Sequence, residues 1–141
     1  MCSYKRRLAA KGQMPEEREP LITPHHILVL EDSLIIAMEA EDIFRGLGAS
    51  EIYVASNLRE AKELIDVHPI DFALLDVNLG STMSFDFARA LREKGVPFGF
   101  SSGYPDNTDF PDDLKSVSLL RKPFGEETIL QHLADVFGKH G

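Results

Sequence analysis

The chain has 141 residues, which suits one domain, and its 43% hydrophobic and 27% charged residues are typical of a globular protein. Its longest uninterrupted apolar run covers residues 34–38, far short of the ~18 residues that span a bilayer, so no membrane partner is expected. The single cysteine, Cys2, cannot form an internal disulfide, which suits a reducing compartment and favours a cytoplasmic location.

The net charge of -8 is unevenly distributed along the chain. Residues 1–24 contain five Lys or Arg against three Glu, whereas residues 25–141 contain 10 basic against 20 acidic residues. An acidic body is poorly suited to a phosphate backbone, so no nucleic-acid partner is expected. Residues 1–24 also hold three prolines and no apolar period, which predicts a flexible N-terminal extension before one domain over 25–141.

Five short apolar runs of strand length follow this extension, without a clean alternation of apolar and polar residues. Strands that are buried on both faces have this pattern. Segments with helical spacing separate the runs, and such alternation predicts an α/β fold with a doubly wound, five-stranded parallel sheet and helices on both faces. The runs cover residues 27–30, 52–55, 72–75, 98–100 and 117–120.

Signals at the ends of these helical segments support the assignment. Asn57 and Glu60 have the spacing of a capping arrangement before the second helix, Gly95 ends the third at about residue 94, and Gly138 ends the last. The fourth crossover differs, because residues 104–116 contain two prolines and four aspartates. We expect a short and mobile helix there.

Acidic side chains directly follow two of the predicted strands. Glu31 and Asp32 come after the first strand, and Asp76 comes after the third. Ligands of open α/β sheets bind at the carboxyl ends of the strands. If these strands are neighbours, ~4.8 Å apart, the carboxylates repel by roughly 3 kcal/mol at an effective dielectric constant of about 20. Lys122, after the last strand, and a Mg²⁺ ion held through oxygen ligands are two compatible sources of balancing positive charge.

A metal ion and a lysine around Asp76 would also bind a phosphoryl group on its carboxylate, and Ser102 would supply a hydroxyl. Each residue has a simpler interpretation when taken alone. Asp32 or Ser33 could be only a helix N-cap, Asp76 and Ser102 could be turn residues, and Lys122 could be a solvated charge. Their joint placement after successive strands favours a common site.

Four segments make the sequence recognisable: L-V-L-E-D at 28–32, L-L-D-V-N at 74–78, F-S-S-G-Y at 100–104 and L-R-K-P-F at 120–124. Through them the chain resembles the receiver domains of two-component response regulators, over about residues 26–138. Within this family it looks closest to the subgroup whose fourth strand reads P-F-x-F-A-T-G-Y, which is P-F-G-F-S-S-G-Y here. The resemblance implies a flavodoxin-like sheet in the order 2-1-3-4-5. Because only three residues follow the last helix, we expect a stand-alone receiver.

The resemblance also implies roles for individual residues. Asp76 would accept a phosphoryl group from a sensor histidine kinase or a phosphotransfer protein. Asp32, Asp76 and the backbone carbonyl of Asn78 would be ligands of Mg²⁺, with Glu31 acting largely through water. Lys122 would pair with a phosphoryl oxygen.

Three further positions carry implications of the same kind. Ser102 would donate to a phosphoryl oxygen; it stands where threonine is usual and keeps the hydroxyl. Pro123 would follow a cis peptide bond. Leu119 stands where many receivers carry a switching aromatic residue, so we place the switch at Tyr104 and in residues 105–116.

The function that follows is a phosphorylation-dependent protein-interaction switch with a downstream protein target, and not an enzyme beyond its own phosphorylation and dephosphorylation. A role as a phosphate sink or relay remains an alternative. An aspartate-dependent phosphatase of the haloacid dehalogenase type needs a second acid two residues after the nucleophile, where Asn78 stands. A receiver used only as an unphosphorylated binding module is disfavoured by the complete set of site residues.

Overall fold

The computed structural model of the chain describes residues 24–103 and 110–138. Within them lie five strands, four α-helices and one short 3₁₀ helix. The N-terminal extension predicted for residues 1–24 lies outside the described residues, except for residue 24. The elements are β1 (His26–Leu30), α1 (Leu34–Gly46), β2 (Glu51–Ala55), α2 (Leu58–Val67), β3 (Phe72–Asp76), α3 (Phe85–Lys94), β4 (Phe98–Ser102), the 3₁₀ helix (Asp112–Leu114), β5 (Leu119–Arg121) and α4 (Glu126–Gly138).

The strands form one parallel sheet in the order β2-β1-β3-β4-β5. This order confirms the predicted fold class. Strands β1 and β3 are neighbours at its centre, and their register ends with Leu30 opposite Leu75. The residues that follow them therefore meet at one edge of the sheet.

Helices cover both faces of the sheet, which explains why the strands lack a simple alternation. In β1, Leu28 and Leu30 belong to one apolar cluster with residues of α2 and α3, whereas Ile27 and Val29 belong to a second cluster with residues of α1 and α4. Both sets are almost completely buried. Each strand face is thus apolar because each has its own helical layer.

The predicted helix ends at Asn57 and Gly95 are present, and a cap also begins α1. The hydroxyl of Ser33 accepts from an amide of the first turn of α1, so Ser33 is the N-cap of that helix. Asn57 accepts from the Glu60 amide at 2.9 Å, and the Glu60 carboxylate accepts from the Ser56 amide at 2.8 Å, which completes a reciprocal cap for α2. Gly95 ends α3 with a φ of 79°, a conformation that glycine adopts without steric cost.

Among the described residues of the crossover from β4 to β5, the 3₁₀ helix is the helical element, and its three residues agree with the short helix predicted there. Phe110 and Leu114 anchor it, with 8% and 0% of their surface exposed. Arg89 of α3 donates from Nε and a terminal nitrogen to the two carboxylate oxygens of Asp113, at 2.9 and 3.0 Å. The described half of the crossover is therefore fixed to α3.

The last strand begins two residues later than the apolar run at 117–120 predicts. The amide of Val117 donates to the carbonyl of Leu114, so Val117 closes the turn after the 3₁₀ helix and does not enter the sheet. Strand β5 extends instead to Arg121.

One close packing contact joins α4 to β4. The imidazole of His132 is buried against Gly99, where a Cβ atom would overlap the ring. Its Nδ1 lies 3.0 Å from the Ser118 hydroxyl, whereas its Nε2 is buried and has no hydrogen-bond partner among the described residues. Burial lowers the pKa of His132 to about 4, so the ring is neutral near pH 7.

Candidate functional site at the carboxyl edge of the sheet

Three carboxylates converge where β1 and β3 end. Glu31 and Asp32 follow β1, Asp76 is the last residue of β3, and one oxygen from each lies within 4.8 Å of the others. Glu31 and Asp76 are buried, whereas Asp32 is exposed. Sequence reasoning placed these three residues at one edge, and the structure brings them together because their strands are neighbours.

Lys122 supplies positive charge to the two buried carboxylates. Its Nζ lies 2.8 Å from Oε1 of Glu31 and 3.3 Å from Oδ1 of Asp76. The lysine follows β5 and precedes Pro123 through a cis peptide bond, as the family resemblance implies. The Ser33 amide donates to the second Glu31 oxygen at 3.1 Å, so Glu31 is held from two sides.

The carboxylates also perturb one another. Burial, and then the negative charge of Glu31, raise the pKa of Asp76 to about 7, although Lys122 acts in the opposite direction. Burial alone would lower the pKa of Lys122, but its hydrogen bond to Glu31 and the charges of both carboxylates outweigh this and leave it raised. The ammonium therefore stays charged while Asp76 exchanges its proton near neutral pH.

Ser102 lies at the end of β4 and is buried, with 3% of its surface exposed. Its carbonyl accepts from the backbone amide of Lys122 at 2.8 Å, which ties the ends of β4 and β5 together. Leu119 is partly buried and packs against the cluster that includes Phe100. Tyr104, the predicted switch residue, lies outside the described residues.

The loop that follows Asp76 runs along the same edge. Asn78 accepts from the Gly80 amide through its side-chain oxygen at 2.8 Å, so its side chain is occupied within the loop. Gly80 has a φ of 92°, and a Cβ there would lie 3.8 Å from a carboxylate oxygen of Asp32. The loop thus passes beside Asp32.

Ser84, at the end of this loop, contacts the end of β3 although the sequence does not single it out. Its hydroxyl donates to the main-chain carbonyl of Asp76 at 2.7 Å, and the side chain is completely buried. A serine just before a helix is normally interpreted as a cap, and no local sequence pattern reveals a hydrogen bond to a residue eight positions earlier.

The fold and this edge define the class of protein: a doubly wound α/β domain that gathers carboxylates and a lysine at the carboxyl ends of its central strands. Over residues 27–134 the sequence matches the family described as the response regulator receiver domain, and the chain belongs to that family. Receiver domains are signalling modules.

Solved structures agree with this assignment. The chain is similar to SdrG from Sphingomonas melonis Fr1, with 28% identity, a TM-score of 0.72 and coverage of 82% of this chain and 98% of that one. A BeF3-activated conformation of SdrG, from Pseudomonas melonis Fr1, matches with 29% identity and a TM-score of 0.69 over 79% of this chain and 94% of that one.

A curated relative is similar over a shorter part of its own length. The transcriptional regulatory protein PdtaR of Mycobacterium tuberculosis (strain CDC 1551 / Oshkosh) is 26% identical over 104 residues, which are 72% of this chain and 51% of that protein. The chain therefore spans about half the length of this relative. None of the helices within residues 24–103 and 110–138 combines the length and the apolar character that crossing a membrane requires.

Proposed function

We propose that the chain is a phosphorylation-dependent signalling switch in which Asp76 accepts a phosphoryl group from a sensor histidine kinase or a phosphotransfer protein. The observation that carries the proposal is the Lys122 ammonium 3.3 Å from one oxygen of Asp76, a residue whose carboxylate also lies within 4.8 Å of two further carboxylates. A nucleophilic carboxylate with a cation beside it is suited to accept an anionic group.

The donor set at this edge fits Mg²⁺. Carboxylate oxygens and a backbone carbonyl are the hard ligands that this ion prefers, and Asp32, Asp76 and the Asn78 carbonyl would hold it. Both oxygens of Glu31 already accept, from Lys122 and from the Ser33 amide, which supports a role for Glu31 through water. When bound, the ion neutralises the oxygens of the incoming phosphoryl group.

In the proposed transfer an Asp76 carboxylate oxygen attacks phosphorus, and the bond from phosphorus to the donor's imidazole nitrogen breaks. The imidazole leaves with the electron pair of that bond, and Asp76 becomes an acyl phosphate. Lys122, already beside Asp76, then pairs with one non-bridging oxygen, and the Ser102 hydroxyl donates to another. Transfer needs an ionised Asp76, and both Lys122 and a bound Mg²⁺ would favour that form against the burial and the Glu31 charge that raise its pKa.

The output of this switch is proposed to be a changed affinity for a downstream protein, through Tyr104 and the crossover that follows it. A BeF3-activated conformation is described for SdrG, which supports a change of conformation on activation in a similar domain. Our assignment to the P-F-x-F-A-T-G-Y subgroup is part of this proposal, since that subgroup carries its distinctive aromatic residue at the position of Tyr104.

Incubation with acetyl phosphate and Mg²⁺, followed by intact-mass measurement, tests the proposal. We expect the wild type to gain one phosphoryl group and Asp76→Ala to gain none. Asp66→Asn is the matched control, because Asp66 is an exposed carboxylate on α2, and it should be phosphorylated like the wild type. Phosphorylation of Asp76→Ala would overturn the assignment of the acceptor.

A further inference from the structure

Ser84 uses its hydroxyl in a way that the adjacent helix does not explain. It precedes α3 at the N-cap position, where serine ordinarily accepts from an amide of the first turn, yet its side chain makes no capping hydrogen bond. The hydroxyl donates instead to the Asp76 carbonyl at 2.7 Å. The helix thus forgoes a capping interaction in favour of a contact with the acceptor residue.

At Asp76 the sheet pairs β3 with β4 but no longer with β1. The register between β1 and β3 ends at Leu30 and Leu75, so the strand partner of Asp76 is Ser101 in β4. The Ser84 hydroxyl holds the Asp76 carbonyl beyond the end of the β1–β3 ladder.

A second bond makes this attachment rigid. The Ser84 amide donates to the Val77 carbonyl at 3.1 Å, so the last carbonyl of β3 and the first one after it accept from the same residue. Ser84 in turn accepts from the Ala88 amide through its own carbonyl, within the first turn of α3. Strand β3 is therefore joined to the first turn of α3 through the main chain and the buried hydroxyl of one residue.

We propose that Ser84 is a positioning residue for phosphoryl transfer to Asp76, acting through the Asp76 main chain. The inference rests on the proposed function, because it concerns the reaction of that carboxylate. Displacement of a reacting group by about 1 Å can lower a rate about a hundredfold. Without the Ser84 hydroxyl, the Asp76 main chain can shift, and its carboxylate then moves away from the line of attack on phosphorus. The site otherwise keeps all its charged groups in Ser84→Ala.

The test compares the rate of Asp76 phosphorylation by acetyl phosphate in folded variants, at saturating Mg²⁺ and over a range of acetyl phosphate concentrations. For Ser84→Ala we expect the maximal rate to fall about tenfold while the half-saturating acetyl phosphate concentration is unchanged. Ser84→Thr, which keeps the hydroxyl, should return the rate to within about threefold of wild type. Ser81→Ala is the matched control, because Ser81 is an exposed hydroxyl of the same loop, and its rate should equal that of wild type.

A positioning role predicts a lower maximal rate at an unchanged half-saturating acetyl phosphate concentration. A purely structural role would lower the stability of the protein and leave the maximal rate of the folded protein unchanged. If Ser84→Ala does not fold, Ser84→Cys replaces it with a similar shape and a weaker donor, and we expect a loss of about threefold. A folded variant with the wild-type maximal rate, or an equal loss in Ser84→Thr, overturns the inference alone. A wild type that gains no phosphoryl group overturns the proposed function and this inference with it.

Discussion

Replacing Lys122 with methionine removes the cation that holds two buried carboxylates together while it keeps most of the side-chain volume. Glu31 and Asp76 have 3% and 5% of their surface exposed, and their oxygens lie within 4.8 Å of each other. At that distance two charges repel by about 3 kcal/mol at an effective dielectric constant of about 20. Loss of one partner from a buried ion pair costs about 3 to 5 kcal/mol, so we expect Lys122→Met to lower the free energy of unfolding by about 3 kcal/mol.

Urea unfolding at about pH 8 with a chelator measures this loss, under conditions in which Asp76 of the wild type is mostly ionised. Combining Lys122→Met with Asp76→Asn removes one of the repelling charges, and the double variant should recover about 2 kcal/mol. Added Mg²⁺ should also reduce the loss in Lys122→Met, because the dication replaces the missing charge. Lys62→Met, at an exposed position on α2, is the control.

Two results would contradict the reasoning. One is a Lys122→Met variant whose stability is within about 0.5 kcal/mol of wild type, the range of an ordinary surface substitution. The other is a double variant that is no more stable than Lys122→Met, since the carboxylate repulsion would then not be the source of the loss.

The remaining predictions concern the packing of His132 on Gly99 and the ion pair between Arg89 and Asp113. Gly99→Ala should lower the free energy of unfolding by about 1 to 3 kcal/mol, because its Cβ overlaps the His132 ring, and His132→Ala in the same chain should recover part of that loss. His132 has a folded-state pKa of about 4, below its unfolded value of about 6.5, so the stability it contributes above about pH 6.5 is lost as pH falls, by about 2 kcal/mol at pH 5. His132→Asn should show a smaller loss over that range in urea unfolding. Arg89→Met, which breaks the pair with Asp113, should speed amide hydrogen exchange around Leu114 while the amides of β1 keep their protection.

Each of these has a clear opposing result. Equal losses in Gly99→Ala with and without His132 would show that the overlap is relieved elsewhere. A His132→Asn variant as sensitive to acid as the wild type would assign the acid loss to other groups. Unchanged exchange after Arg89→Met would show that burial of the apolar anchors holds the 3₁₀ helix without the ion pair.

The order and extent of most elements could be predicted from the sequence because both faces of this sheet are covered. A strand that is covered on both sides has a contiguous apolar run, which can be recognised in the sequence. The end of α3 could be predicted because Gly95 adopts the left-handed conformation that ends the helix. The start of β5 was predicted two residues too early because Val117 is apolar, and an apolar residue suits either a strand or the turn before it. The hydrogen bond from its amide to Leu114, which keeps it out of the strand, depends on the 3₁₀ helix that precedes it. Propensity does not distinguish these alternatives.

The convergence of Glu31, Asp32, Asp76 and Lys122 could be predicted because the carboxyl ends of parallel strands share one edge. Their roles in phosphoryl transfer remain predictions. The Ser84 contact could not be found in the same way, since it depends on how the loop from 77 to 84 folds back on its own strand. The packing of His132 on Gly99 likewise depends on the register of α4 across β4, which no local pattern encodes.

The sheet separates the apolar interior into two compartments that share no side chains, one beneath α2 and α3 and the other beneath α1 and α4. A truncation in one compartment, such as Leu91→Ala, cannot be refilled from the other, so its effect should add to that of Leu133→Ala without coupling. The domain can therefore lose packing in one compartment while the other keeps its own, so substitutions on opposite faces of the sheet should be tolerated independently.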